Sequence, residues 1–247
     1  MRGFTQLIQV NFKLYLREPI AIFFTLAFPP LMILIFGTMY GNDPSPVFGG
    51  YGSMDISMPA YSALVLGTVG LLNVPITSGG YREQGILRRY RATPMRPLTY
   101  ILADVLTNLV ITLMGMVILV TVGWLMYRVR FEGQAFNVVL AVGLSGLAMF
   151  SIGYLIASVA PGARSAQVIG MVIFYPMMFL SGAGVPLEVM PEAVRRISDF
   201  LPLTYVVTLL RGMWFGDGWV DHLIEVAVLG VVFVICAGLA ARFFRWE

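Results

Sequence analysis

The chain has 247 residues, of which 58% are hydrophobic and 12% are charged, with a net charge of +3. A soluble domain carries about 25% charged residues, so this composition excludes an ordinary soluble enzyme or binding domain. The positive charge lies in short segments between apolar runs, which is typical of membrane proteins and predicts no nucleic-acid partner. The single cysteine excludes an internal disulfide.

Residues 1–18 precede the first long apolar run. Phe4, Leu7 and Phe12 fall broadly on one side of a helix, while Gln6 and Lys13 fall on the other. This pattern predicts an amphipathic helix that lies in the membrane surface. The proline at position 19 then ends this helix and begins the first span.

Six stretches of the chain lack Asp, Glu, Lys, Arg and His. Five of them are 23 to 31 residues long, and the sixth, 226–241, is shorter. A helix of about 20 apolar residues crosses a hydrocarbon core about 30 Å thick and satisfies its own backbone hydrogen bonds there. We therefore predict an all-α, polytopic membrane protein forming a single transmembrane domain, 1–247. The six predicted transmembrane helices are 20–40, 57–79, 98–127, 136–160, 165–185 and 219–242.

Six spans place both termini on one side of the membrane. If that side is the cytoplasm, the inside segments hold eleven lysines and arginines and the outside segments hold five. The positive-inside rule therefore predicts a multi-pass protein with both termini cytoplasmic.

The segment 80–97 contains five arginines and one glutamate. If it is helical, Ile86, Leu87 and Tyr90 share one apolar face. Two interpretations stay open. The segment is either a basic loop that only sets orientation, or a short helix that docks into a groove on a soluble partner.

Asp104 lies about six residues into the third predicted span, where a carboxylate is costly. One interpretation is an interfacial carboxylate paired with an arginine of the preceding loop. The other is an ion-coupling residue, which would make the chain a secondary transporter or channel.

The segment 186–218 combines three prolines, a polar stretch and an apolar run, 200–210, that is too short to span a bilayer. Such a run either re-enters the membrane under a cover of protein or rests on the outer leaflet as a surface helix.

Motifs for catalysis are absent from the sequence. There is no GxxxxGK[ST] phosphate-binding loop, and Lys13 is the only lysine, so the chain is not expected to hydrolyse ATP itself. The chain has one histidine and one cysteine, too few of the common metal ligands to predict a metal site. An intramembrane hydrolase that pairs His222 with Ser181 is a further alternative, but no flanking motif supports it.

Two motifs at corresponding places carry a family resemblance. The cytoplasmic loop of ABC type-2 permeases, the membrane subunits of ATP-binding-cassette exporters, is similar to residues 81–87 (YREQGIL) and 91–97 (RATPMRP). The outer segment of the same family resembles residues 181–212, with the Leu201-Pro202-Leu203-Thr204-Tyr205 run and Arg211-Gly212. The small drug and lipo-oligosaccharide exporters of the daunorubicin-resistance type resemble the chain most. Arg88 departs from the acidic residue common in the family, and Leu201 departs from its asparagine.

The resemblance implies three functional regions. A coupling helix, 83–91, and the end of a connecting helix, 1–18, would contact a separate ATPase through Arg17, Glu18, Arg82, Glu83, Ile86, Leu87, Arg88, Tyr90 and Arg91. Spans one, two and five would face the substrate path. Candidate path residues are Phe28, Met32, Phe174, Tyr175, Met178 and Phe179, although such clusters are often lipid-facing or core. A re-entrant hairpin would close the outer side through Pro186, Pro191, Pro202, Tyr205 and Arg211.

The implied protein is the permease subunit of an exporter in a bacterial inner membrane. It would move an amphiphilic or hydrophobic substrate out of the cytoplasm by alternating access. Two ATPase subunits would bind ATP and Mg²⁺, so this chain itself is expected to hold no cofactor. A second permease copy would complete a homodimer or a heterodimer.

Overall fold

The computed structural model describes residues 2–86 and 97–243. The predictions for Leu87, Arg88, Tyr90 and Arg91 lie outside the described residues. Within these two ranges the chain is helical and contains no strand. The prediction of an all-α fold with six helices long and apolar enough to cross a membrane is confirmed.

The helices are numbered here in chain order. They are α1 (Arg2–Tyr15), α2 (Pro19–Ile22), α3 (Phe28–Tyr40), α4 (Ser53–Thr68), α5 (Val74–Glu83), α6 (Pro97–Tyr127), α7 (Ala135–Val159), α8 (Ala163–Leu180), α9 (Glu192–Ser198), α10 (Pro202–Phe215) and α11 (Leu223–Phe243). The six candidate spans are Phe23–Tyr40, Ser53–Glu83, Thr99–Tyr127, Ala135–Val159, Ala163–Leu180 and Trp219–Phe243.

Two π-helical turns interrupt the first two spans. Phe23–Ala27 joins α2 to α3, and Val69–Asn73 joins α4 to α5. Each turn is followed within two residues by a proline, Pro29 or Pro75. Because proline has no backbone N–H and crowds the preceding turn, it breaks the regular hydrogen-bond ladder, and the wider turn absorbs the break.

The second span is the central element of the bundle, and its helix, Ser53–Glu83, extends beyond the predicted 57–79 at both ends. It begins at Ser53 because the Asn42 side-chain oxygen accepts hydrogen bonds from the amides of Met54 (3.0 Å) and Asp55 (3.1 Å). At its other end α5 continues to Glu83 and is followed by a turn. Glu83 is therefore the last residue of α5, and most of the predicted coupling helix 83–91 lies outside the described residues.

The fifth span is shorter than the predicted 165–185. Helix α8 ends at Leu180, and Gly182 has a φ of 88°, which a residue with a side chain rarely adopts. The chain turns there toward the hairpin formed by α9 and α10.

The two ends of the bundle differ. At one end, here called the α1 end, Leu7, Asn11 and Tyr15 are the buried side of α1, and α1 packs against α6. At the opposite, hairpin end, α10 is enclosed by α4, α7 and α11. Leu203, Val206 and Leu209 of α10 have no solvent exposure. This short helix is therefore part of the protein core.

Candidate functional site

A cavity of about 390 Å³ lies between the first, second and fifth spans near the α1 end. Its walls come from the segment joining α1 to α2, from both π-helical turns and from α8. The lining residues are Arg17, Glu18, Pro19, Ala21, Phe24, Thr25, Thr68, Leu72, Asn73, Ile76, Gln167, Met171 and Tyr175. The three spans are those that the family resemblance assigns to a substrate path.

The cavity wall is mainly apolar with a few polar groups. Phe24, Leu72 and Met171 offer hydrocarbon and aromatic surface, while Asn73 and Gln167 offer amides. Such a mixture suits a ligand with a large apolar part and few hydrogen-bonding groups. Arg17 and Glu18 stand beside the cavity where the chain leaves α1. Partial desolvation raises the pKa of the Glu18 carboxyl above its ordinary value, because it disfavours the charged form.

The predicted path residues occupy different environments. Tyr175 lines the cavity, whereas the neighbouring Phe174 is only 4% exposed and belongs to the hydrophobic core. Phe179 is more than half exposed, and Phe28 and Met32 are half-buried on α3. Met178 is also half-buried, packed against the core. The structure thus brings Tyr175 to this cavity, but does not bring the six predicted residues together there.

The described residues of the predicted ATPase-contact set also make contacts within the chain. Ile86 packs on a small cluster formed by Tyr81 and Tyr100, which Leu14 of α1 also contacts. Arg82 and Glu83 contact the turn between α7 and α8. The start of the basic segment is therefore attached to α1, α6, α7 and α8.

Asp104 is buried at the centre of a hydrogen-bond network at the α1 end. The Tyr154 hydroxyl donates to Asp104 Oδ2 at 2.5 Å, and the Asn108 side-chain amide donates to the same oxygen at 3.3 Å. Asn11 of α1 donates to Oδ1 at 3.4 Å. Asn73 extends the network by donating to Asn108 Oδ1 at 3.3 Å.

Within the described part of the chain, neutral groups hydrogen-bond to Asp104, and most arginines of the preceding loop lie outside that part. The described partners of Asp104 are neutral amides and a hydroxyl, not an arginine. The carboxylate lines a small space of about 20 Å³, the size of one water, and does not line the larger cavity. The hydrogen bonds of this network join α1 and the second, third and fourth spans.

The predicted gate residues lie at the hairpin end. Arg211 forms an ion pair with Glu188, and both line a cavity of about 270 Å³ together with Pro186. The Tyr205 hydroxyl donates to Asp199 O at 2.7 Å, which ties α10 to the end of α9. The other two predicted gate residues lie where helices begin. Pro191 directly precedes α9, and Pro202 is the first residue of α10.

His222 and Ser181 show no sign of a hydrolase site. His222 lies 3.2 Å from Asp217 and 3.7 Å from Glu225, measured between ring nitrogens and carboxylate oxygens. Ser181 has no solvent exposure, and its hydroxyl oxygen accepts from the amide of Ala183. A substrate could not reach this hydroxyl in the observed arrangement.

The fold and the cavity define a multi-pass helical membrane protein with a mainly apolar chamber at one end and a packed hairpin at the other. Residues 2–215 match the family described as ABC-2 type transporter. The chain therefore belongs to the ABC-2 type transporter family, as its loop and hairpin motifs predicted.

Named relatives agree with this membership. The chain is 27% identical over 186 residues to the inner membrane transport permease YhhJ of Escherichia coli K12, covering 69% of this chain and 48% of YhhJ. It is 30% identical over 94 residues to nodulation protein J of Rhizobium leguminosarum bv. viciae, covering 38% and 36% of the two chains. A third relative is the probable multidrug ABC transporter permease YbhR of Escherichia coli K12, at 22% identity over 165 residues, 66% of this chain and 45% of YbhR. The chain thus spans less than half the length of these relatives.

Proposed function

We propose that this chain is the permease subunit of an ATP-driven exporter that moves an amphiphilic or hydrophobic substrate out of the cytoplasm. The carrying observation is the 390 Å³ cavity between spans one, two and five, with Arg17 and Glu18 beside it. Relatives named as transport permeases support the transport role. The largely apolar wall supports a substrate with few polar groups.

The energy source in this proposal is a separate ABC ATPase, two copies of which bind ATP and Mg²⁺. ATP favours one arrangement of the ATPase pair, and contact with the segment 86–96 and with Arg17 and Glu18 shifts the permease toward the arrangement that fits it. A second permease copy, identical or related, completes the assembly in a bacterial inner membrane with both termini cytoplasmic.

The hairpin of α9 and α10 is the outer gate in this proposal. Helix α10 has 14 residues, about 21 Å at helical rise, which is short of a full crossing. Its burial among α4, α7 and α11 supplies the protein cover that a re-entrant element requires.

Recruitment of the ATPase is the decisive test. A tagged permease is co-expressed with the ABC ATPases of its own genome, and the co-purified ATPase is quantified. We expect Leu87→Asp to reduce the recovered ATPase at least tenfold, since a buried charge in an apolar contact costs about 1.4 kcal/mol or more. Leu87→Met keeps an apolar side chain of similar volume and serves as the control. Equal recovery with both variants, or transport by the permease alone under an ion gradient, would contradict the proposal.

A further inference from the structure

Arg82 holds the end of a neighbouring span. It lies in the last turn of α5, and its guanidinium donates to the carbonyl of Ala157 at 3.1 Å and also to the carbonyl of Ala160. These carbonyls belong to the last turn of α7 and to its C-terminal cap. Helix C-termini present unpaired carbonyls and partial negative charge, both of which a guanidinium satisfies.

Glu83, the next residue, holds the beginning of the following span. Its Oε1 accepts from the backbone N–H of Ala163 at 3.1 Å, and Ala163 is the first residue of α8. A helix N-terminus presents free N–H groups and partial positive charge, so a carboxylate stabilises it. Two adjacent side chains of opposite charge therefore bind the two helix ends that face each other across the turn 160–163.

Small residues make this approach possible. A Cβ on Gly162 would collide with the Glu83 carboxylate, and a Cβ on Gly79 would come within 3.1 Å of the Ala163 backbone. Helix α5 also packs along both α7 and α8. The second span thus meets the turn through close backbone packing and through two charged side chains.

We propose that Arg82, Glu83 and the turn 160–163 form a clamp that makes the second, fourth and fifth spans one rigid unit at the α1 end. The proposal rests on the proposed function, in which the segment 86–96 meets the ATPase. A displacement of that segment then passes through α5 directly to α7 and α8. Because Gln167 and Met171 of α8 line the 390 Å³ cavity, the displacement reaches the cavity wall. In this assignment Arg82 and Glu83 act within the permease and do not bind the ATPase.

The clamp can be disrupted by a substitution in the turn 160–163, which leaves the charges of Arg82 and Glu83 unchanged. Gly162→Ala displaces the Glu83 carboxylate without removing any charged side chain. Arg82→Ala removes the guanidinium, and Glu83→Gln, which keeps an acceptor oxygen, is the conservative control. Gly79→Ala is a milder variant for use if Gly162→Ala does not fold.

Spin labels measure the rigidity of the unit. Labels are attached at Gln84 and at Val168, two exposed positions on either side of the clamp, after Cys236→Ala removes the only native cysteine. The distance is measured in the complex with the ATPase, without nucleotide and with ATP plus vanadate. We expect one narrow distance, the same in both states, for the parent and for Glu83→Gln. Gly162→Ala and Arg82→Ala should lose the single distance and give a broad distribution, while the recovered ATPase stays unchanged.

Two results would overturn the clamp. One is a narrow, unchanged distance in both Gly162→Ala and Arg82→Ala. The other is a loss of ATPase recovery in Arg82→Ala with Gly162→Ala unaffected, which would assign Arg82 to the ATPase contact. If the parent recruits no ABC ATPase, the proposed function fails, and the nucleotide-free distances still decide whether the clamp holds.

Discussion

Asp104 shows how a single buried carboxylate can fix the position of several helices. Its three described partners, Asn11, Asn108 and Tyr154, come from α1, α6 and α7. Each partner donates a hydrogen bond to the Asp104 carboxylate, and an apolar side chain at position 104 could not accept it. A buried donor left without an acceptor costs about 1–3 kcal/mol, so the network is sensitive to loss of this one side chain.

We therefore expect Asp104→Ala to lower the free energy of unfolding by about 2 kcal/mol or more, because the Tyr154 hydroxyl and the Asn11 amide lose their acceptor. Asp104→Asn keeps one acceptor oxygen for the Tyr154 hydroxyl and should cost less. Thermal unfolding of the purified permease in detergent measures the order of the variants. Asp43→Ala, on an exposed loop residue, is the control. A melting temperature for Asp104→Ala equal to that of the control would contradict the structural role.

At the scale of elements, the packing of the hairpin distinguishes a surface helix from a re-entrant element. The sequence predicted that the apolar run 200–210, most of which is in α10, is either a surface helix or a re-entrant element. The structure encloses it, and Leu209 has no exposure while Phe200, just before the helix, is 86% exposed. These two large apolar residues give a matched pair for testing the enclosure.

We expect Leu209→Ala to destabilise the protein by about 2–5 kcal/mol, since it leaves a cavity in a packed core. Phe200→Ala removes an exposed side chain and should change stability by about 0.5 kcal/mol or less. The thermal unfolding assay in detergent measures both. Similar small effects of the two substitutions would show that α10 lies on the surface.

The elements also show which features a sequence can reveal. Long charge-free runs predicted the six spans because lipid allows few other structures for such runs. Asn42 was not predicted, although it joins the start of α4 to the end of α6 by bonding the amide of Met54 and the carbonyl of Tyr127. Its partner residues are distant in sequence, and the motif around it resembles an ordinary loop. The contacts of the Arg82 and Glu83 side chains were likewise not predictable, because they depend on the position of the turn 160–163 in the folded protein.

At the scale of the whole molecule, the two ends carry different chemistry. The α1 end holds the 390 Å³ cavity, the Asp104 network and the clamp. The hairpin end holds the Arg211–Glu188 ion pair and a packed α10. What each end contributes to transport depends on the side of the membrane that it faces. The distribution of arginines predicts that the α1 end faces the cytoplasm.

The orientation can be tested with two cysteines in the Cys236→Ala chain. We expect a membrane-impermeant maleimide to label Phe200→Cys in spheroplasts, because the hairpin end is predicted to face outward and this side chain is exposed. Gln84→Cys, also exposed, should be labelled only after the membrane is permeabilised. Total reactive cysteine, measured in detergent, controls for differences in expression. Labelling of Gln84→Cys in intact spheroplasts, with Phe200→Cys protected, would place the arginine-rich segment outside. A cytosolic ATPase could then not reach this segment, and the proposed mode of energy input would be wrong.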